Sequence, residues 1–254
     1  TTDAPLVKSA SESHELTAVM ITFFENDAIG DDQKLALINA LGWGNEENLP
    51  FYESHLTKKY SLESGFFDSL SRPYLNEAQL LKDPFVEKLT HDELMCWSYL
   101  KVLDDYFKPI NGLKAAMYTI HKDDDNFAYL FLGGLILSQV YLDQGKWCQV
   151  YMVMAEIRGD WKNCHDQLTR KAVLDAWDYI GIYEEVCKEN GVDVSEVNAD
   201  LDPHYTADDF KSFKEPKKGK RPDLEVVDVT DIEYISDING TFLLVEVKNK
   251  GKVK

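Results

Sequence analysis

The sequence predicts a mainly α-helical protein, a multi-helix bundle that ends in a small C-terminal antiparallel β-hairpin or three-stranded meander. Three observations lead to this fold class. Residues 126–155 are almost entirely apolar, with Asp143 and Lys146 as the charges among them. Helix-start signals recur along the chain before this segment. Near the C-terminus, Asn239-Gly240 separates two runs rich in β-branched and aromatic residues, which is the strongest short hairpin signal.

The apolar segment over 126–155 predicts two consecutive buried helices. A strand of this length would far exceed the usual size, and Asp143-Gln144-Gly145 is suited to a break between helices. The uninterrupted apolar run over 127–142 has 16 residues, whereas a membrane-spanning helix needs about 20. We therefore expect a helical hairpin joined at Gly145, around which the other helices pack, and no membrane partner.

Shorter helices are predicted on the N-terminal side of this hairpin. The apolar spacing over 15–26 suits a helix. Gly30-Asp31-Asp32 is an acidic helix start before a second amphipathic pattern, and a third helix is predicted over 49–59. Thr90 with Glu93 three residues later is a capping-box pattern, so a further helix should begin there and end before Pro109.

The composition changes beyond the last predicted helix, which Gly191 ends. The next thirty or so residues are polar and charged, with the turn-rich sequence EPKKGKRPD, and are typical of a linker. The sequences LEVVDV, DIEYISDI and TFLLVEVK that follow predict strands. The predicted organisation is a frayed N-terminus over 1–13, a helical domain over 14–191, a polar linker over 192–222 and a C-terminal β segment over 223–254.

The chain is strongly acidic, and the charge is unevenly distributed. Its 27 Lys and Arg against 45 Asp and Glu give a formal net charge of −18. Residues 211–254 carry ten basic and eight acidic side chains, a net of +2, which leaves −20 on residues 1–210. Such a charge repels phosphate backbones and anionic membranes and favours basic partners. We therefore expect a basic protein as the partner and do not expect nucleic acid.

The cysteines indicate a reducing compartment. Four are present without a CxxC pair, and disulfide frameworks belong mostly to small secreted domains. No charged segment followed by an apolar signal sequence precedes the first helix. We therefore predict reduced, partly buried thiols in a cytoplasmic protein. The cysteines are Cys96, Cys148, Cys164 and Cys187.

The C-terminal hairpin contains a candidate catalytic cluster. A two-residue loop at Asn239-Gly240 would pair Glu233 with Glu246 and Asp231 with Lys248. With Glu246-Val247-Lys248 after an apolar run, this pattern resembles that of the PD-(D/E)xK nucleases. The resemblance implies strand carboxylates that hold Mg²⁺ and a lysine that assists the attacking water. It covers the hairpin and Pro222-Asp223, and the helix and strand that continue the family's core are not expected in 249–254. An ordinary solvated hairpin face with a cross-strand Asp231–Lys248 pair is the alternative.

No metal or cofactor site is predicted elsewhere. The six histidines are scattered, without the spacing of paired zinc ligands. Asp123, Asp124 and Asp125 resemble the opening of an EF-hand loop, but Ala128 and Gly134 stand where that loop needs Gly and Glu. Motifs of phosphate-binding loops and serine hydrolases are absent from the sequence.

Two functions of different classes therefore remain. The first is a non-catalytic acidic binding module, by analogy with immunity proteins or inhibitors, that covers a basic partner such as a toxin or nuclease. Its support is the acidic charge and the supply of five Trp and 13 Tyr as interface anchors. The predicted partner-binding residues are the acidic loop Asp123, Asp124 and Asp125. The alternative is a metal-dependent nuclease, or a degenerate remnant of one, that uses Asp231, Glu233, Glu246 and Lys248.

Overall fold

The structure, a computed structural model, describes most of the chain. The described residues are 5–43, 45–73, 77–159, 164–165, 168, 170–194, 224–235 and 240–249. The chain divides into two compact units, residues 1–205 and 206–254. The first unit is helical within its described residues, which confirms that the protein is mainly α-helical.

The described part of unit 1 begins with six helices. They are α1 (Pro5–Ser13), α2 (Ala18–Phe24), α3 (Asp31–Leu41), α4 (Asn48–Tyr60), α5 (Phe66–Leu70) and α6 (Glu77–Leu80). The predicted frayed terminus is wrong for residues 5–13, which form α1 and pack against α3. The reason is that Val7 and Ala10, three residues apart, lie on one helix face and are both buried in the core.

Six further helices follow a 3₁₀ turn at Val86–Lys88 in the described part of the chain. They are α7 (His91–Asp104), α8 (Ile110–Lys122), α9 (Phe127–Asp143), α10 (Trp147–Gly159), α11 (Arg170–Ile180) and α12 (Tyr183–Glu189). The predicted helical hairpin is confirmed as α9 and α10. Gly145 between them has a φ of 68°, a left-handed conformation that glycine adopts without a steric penalty.

Side-chain caps explain where α7 and α9 begin. Thr90 Oγ1 accepts a hydrogen bond from Glu93 N at 3.3 Å, and Glu93 Oε2 accepts one from Thr90 N at 2.9 Å. This is the predicted capping box. At α9, Asn126 Oδ1 accepts from Tyr129 N at 3.1 Å. Both caps satisfy backbone N–H groups that have no partner within the helix.

The core of unit 1 is organised around α7 as much as around α9. One buried cluster includes Trp97 and Leu100 of α7 and extends through the first helices. A second cluster includes Met95 and Val102 of α7 and the inner face of α9. Helix α7 packs against α2, α3, α4, α8 and α9. The ends of α7 and α9 are therefore held by well-buried elements.

Unit 2 contains two antiparallel strands, β1 (Leu224–Ile235) and β2 (Gly240–Asn249). Their register differs from the predicted one because Ile235 pairs with Gly240, which leaves four residues between the paired positions where a two-residue loop was predicted. Strand β1 also has two irregularities, between Val226 and Asp228 and between Val229 and Asp231. Asn239 lies outside the described residues. The partners that replace the predicted ones are Asp231 with Leu244, Glu233 with Phe242, Asp228 with Glu246 and Glu225 with Lys248.

A disulfide joins α10 to α12. It links Cys148 and Cys187, whose Cα atoms are 4.7 Å apart. The prediction of reduced thiols is therefore wrong for this pair, because α11 and α12 fold back and bring together cysteines separated by 39 positions in the sequence. Cys96 is a buried thiol, and its burial raises its pKa well above the ordinary value.

Candidate protein-binding surface

An exposed aromatic cluster lies where α3 and α7 end. The ring centroids of Trp43 and Tyr106 are 4.5 Å apart at an interplanar angle of 28°, and Phe107 meets Tyr106 edge-on at 5.8 Å. Trp43 is 63% exposed and Phe107 is 86% exposed. These three side chains, the Trp43 cluster, present a large apolar area to solvent in mutually supported orientations.

The chain folds this way because both helices end at specific signals. Gly42 ends α3 with a φ of 69°, and Trp43 follows it directly. Tyr106 and Phe107 follow the end of α7 and precede Pro109. Proline has no backbone N–H group, so it cannot donate the hydrogen bond that would continue α7. The Tyr106 hydroxyl donates to Gln139 Oε1 of α9 at 2.9 Å, which fixes the ring.

A second aromatic cluster lies on α10, α11 and α12. The rings of Trp147 and Tyr183 are 5.9 Å apart, and Tyr179 meets Tyr183 edge-on, also at 5.9 Å. The Tyr183 hydroxyl donates to the Tyr179 hydroxyl at 3.3 Å. Trp147 and Tyr179 are about half exposed, and the neighbouring Ile182 is also exposed. Trp147, Tyr179 and Tyr183 are called the Trp147 cluster.

The two clusters are connected through the end of α9. Gln139, which accepts a hydrogen bond from Tyr106, donates through Nε2 to Asp143 Oδ1 at 3.4 Å, and Asp143 lies four residues before Trp147. The pKa of Tyr106 is raised, mainly by burial and then by Tyr179 and Asp143. Burial raises the pKa of Tyr183 to about 12, with further contributions from the Tyr179 hydrogen bond and from Tyr106. Through Gln139 and Asp143, both clusters lie close to the turn between α9 and α10. Together they are called the aromatic surface.

Carboxylates border the Trp43 cluster. The pKa of Asp104 is raised first by loss of solvent and then by repulsion from Asp105 and Glu46, while Lys101 opposes the shift. The Asp105 carboxylate is also 3.5 Å from Lys108 Nζ. An additional cation at this position would reduce the repulsion among the carboxylates. The border of the aromatic surface is therefore suited to a basic group.

The predicted acidic loop lies between α8 and α9 and is engaged with another part of the unit. His165 Nε2 is 3.2 Å from both Asp123 Oδ1 and Asp125 Oδ1. His165 N donates to the Asp125 carbonyl at 2.7 Å, and Phe127 N donates to the His165 carbonyl at 2.9 Å. Asp124 is exposed. Two of the three carboxylates thus have an imidazole partner, and the role of the loop in binding stays a prediction.

Among the described residues, a group that could hold a metal ion consists of Asp123, Asp125 and His165. The ligand atoms of Asp123, Asp125 and His165 lie within 4.8 Å of one another. Carboxylate and imidazole are suitable ligands for divalent ions. In the structure, however, the His165 imidazole is in direct contact with both carboxylates. His165 could not be connected to the loop from the sequence, because the contact depends on the path of the chain after α10.

The nuclease alternative depends on side chains that the structure does not describe. The backbone pairing of Asp231, Glu233, Glu246 and Lys248 is described, but their side chains are not. That pairing separates Glu246 from Glu233 and Lys248 from Asp231. The catalytic cluster therefore stays a prediction, and the register from which it was predicted is not the one observed.

Comparison with protein-family models, with curated proteins and with solved structures finds no match to this chain. Within the residues that the structure describes, no helix is both long and apolar enough to cross a membrane.

Proposed function

We propose that this chain is a non-catalytic acidic binding module, comparable to an inhibitor or immunity protein, that covers a basic protein partner with the aromatic surface. The observation that supports it is the exposed Trp43–Tyr106 stack beside the carboxylates of Asp104 and Asp105, which directly precede Tyr106 in the chain. Tryptophan and tyrosine are enriched among residues that dominate binding energy, whereas most surface residues contribute little.

The chemistry of the border favours a cationic partner. Aromatic faces attract lysine and arginine side chains, and nearby carboxylates add charge complementarity. The fold already contains such contacts: the Arg158 guanidinium lies 4.4 Å from the centroid of Trp177, and Lys59 Nζ lies 5.2 Å from that of Tyr60. The net charge of −20 on residues 1–210 would attract a basic partner over a longer range.

The probe for this proposal is a set of labelled peptides in which Lys and Arg alternate with Leu and Tyr. We expect the wild type to bind them, and Trp43→Ala and Phe107→Ala to weaken binding about tenfold or more. Phe51→Ala, which removes an exposed phenylalanine that belongs to neither cluster, is the matched control and should bind like the wild type. Equal affinity for peptides with Glu in place of Lys and Arg, or equal affinity of all variants, would refute the proposal.

The charge makes a separate prediction about rate. Association should slow as salt is added, because exposed charges are screened beyond a Debye length of about 8 Å at physiological ionic strength. Glu46→Gln with Asp104→Asn should reduce this salt dependence. The role of the acidic loop is tested by measuring the association rate in stopped flow, again at several salt concentrations, for the triple variant Asp123→Asn, Asp124→Asn, Asp125→Asn. A rate that does not respond to salt would show that the charge does not steer binding.

A further inference from the structure

The disulfide lies directly beneath the Trp147 cluster. Cys148 follows Trp147 in α10, and Cys187 lies one helical turn after Tyr183 in α12. Both cysteines are buried, Cys187 completely. The covalent link therefore joins the two helices that carry the contacting rings of Trp147 and Tyr183.

The stability of helix α12 depends on its contacts with other parts of unit 1. It has seven residues, whereas isolated helices shorter than about 12 residues are marginal in water. After its last turn, Val192 N donates to the Cys187 carbonyl at 2.9 Å, so Cys187 also contributes to the helix end. A change at this cysteine would act on the whole helix and on the tyrosine that it carries.

We propose that the Cys148–Cys187 disulfide is a redox control site for the aromatic surface: the oxidised chain binds its basic partner, and reduction by a dithiol weakens binding. This inference rests on the proposed function and adds its regulation. In the reaction, one thiolate of the dithiol attacks the sulfur of Cys148, the less buried of the two cysteines, which breaks the S–S bond, releases Cys187 as a thiolate and forms a mixed disulfide. The second thiol of the dithiol then attacks its own sulfur in the mixed disulfide and releases Cys148. Two electrons and two protons pass to the protein, which gains two thiols while the dithiol becomes a disulfide.

Reduction acts on one half of the surface. Without the covalent link, α12 can separate from α10, and the contact between Trp147 and Tyr183 is lost. The Trp43 cluster is built from the ends of α3 and α7 and is fixed by Gln139 of α9, and no residue of α12 belongs to it. The reduced protein should therefore bind more weakly but retain the contribution of Trp43.

The first measurement compares binding of the basic peptides to oxidised and dithiol-treated full-length protein. We expect reduction to weaken binding about tenfold, as does the loss of an anchoring aromatic residue. The double variant Cys148→Ser, Cys187→Ser should bind like the reduced wild type and should not respond to dithiol. Equal affinity before and after reduction, with Trp147→Ala still weakening binding, would overturn the redox inference and leave the proposed function standing.

A second measurement does not require binding. Hydrogen exchange over 183–189 should become faster on reduction, and mass spectrometry after alkylation should find two additional modified cysteines. Circular dichroism of the double variant must remain helical, so that a local change is separated from unfolding. Unchanged exchange over 183–189 on reduction would overturn the inference even if no probe peptide binds. Binding that is insensitive to both Trp43→Ala and Trp147→Ala would instead refute the proposed function.

Discussion

At the scale of single residues, Lys34 connects the beginnings of three helices. Its side chain in α3 is 3% exposed, forms an ion pair with Asp92 at the start of α7, and lies 3.5 Å from Asp31. Tyr129 of α9 donates its hydroxyl to Asp92, and Asn126 donates to Asp31 at 2.7 Å. Burial, the largest single influence, lowers the pKa of Lys34, but the hydrogen bond and charge of Asp92 together raise it above its ordinary value. The lysine therefore remains charged.

Replacing this lysine should destabilise the protein strongly. Lys34→Met removes the cation that pairs with Asp92, and removal of one partner of a buried pair typically costs about 3–5 kcal/mol. Urea unfolding measures the change. Lys8→Met is the control, because Lys8 is 70% exposed and lies 3.9 Å from Glu12, and such surface pairs contribute about 0–1 kcal/mol. Similar losses in the two variants would show that the Lys34 pair does not hold the helices together.

At the scale of elements, glycines allow close helix packing. A Cβ at Gly112 of α8 would lie 2.8 Å from the Ser98 carbonyl oxygen and 2.8 Å from Val102 Cγ2, both in α7. The Ser98 hydroxyl also donates to the Gly112 carbonyl at 2.8 Å. On α9, a Cβ at Gly133 would lie 2.2 Å from the terminal methyl carbon of Ile120. At Gly112 the added Cβ would meet a backbone atom, whereas at Gly133 it would first meet the end of a flexible side chain.

This difference predicts the order of two alanine variants. Gly112→Ala should lower the free energy of unfolding by about 1–3 kcal/mol, because α7 and α8 must separate to accept the methyl group. Gly133→Ala should cost less, because Ile120 can rotate and alanine favours a helix over glycine by about 1 kcal/mol. Thermal or urea unfolding compares them directly. A greater loss for Gly133→Ala would contradict the assignment of Gly112 as the tight contact.

At the scale of the whole molecule, charge separates the two functional classes. The net charge of −18 opposes the approach of a polyanion, while the aromatic surface with its carboxylate border is suited to a cation. The basic excess after residue 210 is only +2. The proposed function therefore predicts a basic protein, and not nucleic acid, as the partner.

The corresponding prediction concerns nuclease activity. The purified protein with Mg²⁺ should not cleave DNA or RNA, and Glu246→Gln should leave both this result and the helical circular dichroism unchanged. A supercoiled-plasmid nicking assay makes the measurement. Reproducible Mg²⁺-dependent nicking by the wild type that is lost in Glu246→Gln would contradict the binding-module proposal and support the nuclease alternative.

The sequence alone determined the main helices and several of their ends. The capping box at Thr90, the break at Gly145 and the acidic start at Asp31 are local signals, because a helix cap or turn depends on residues within a few positions. The high supply of tryptophan also pointed to interface anchors, but the sequence does not separate buried from exposed ones. Trp97 is buried, whereas Trp43 is exposed.

Only the tertiary structure decided which distant residues meet. Trp43 stacks on Tyr106, Cys148 bonds to Cys187 and Lys34 pairs with Asp92, each across a separation that periodicity does not encode. Helix α1 likewise packs against α3, a contact between separate parts of the chain. The physical reason is that these contacts are selected by the arrangement of whole helices, in which burial of apolar faces outweighs local propensity.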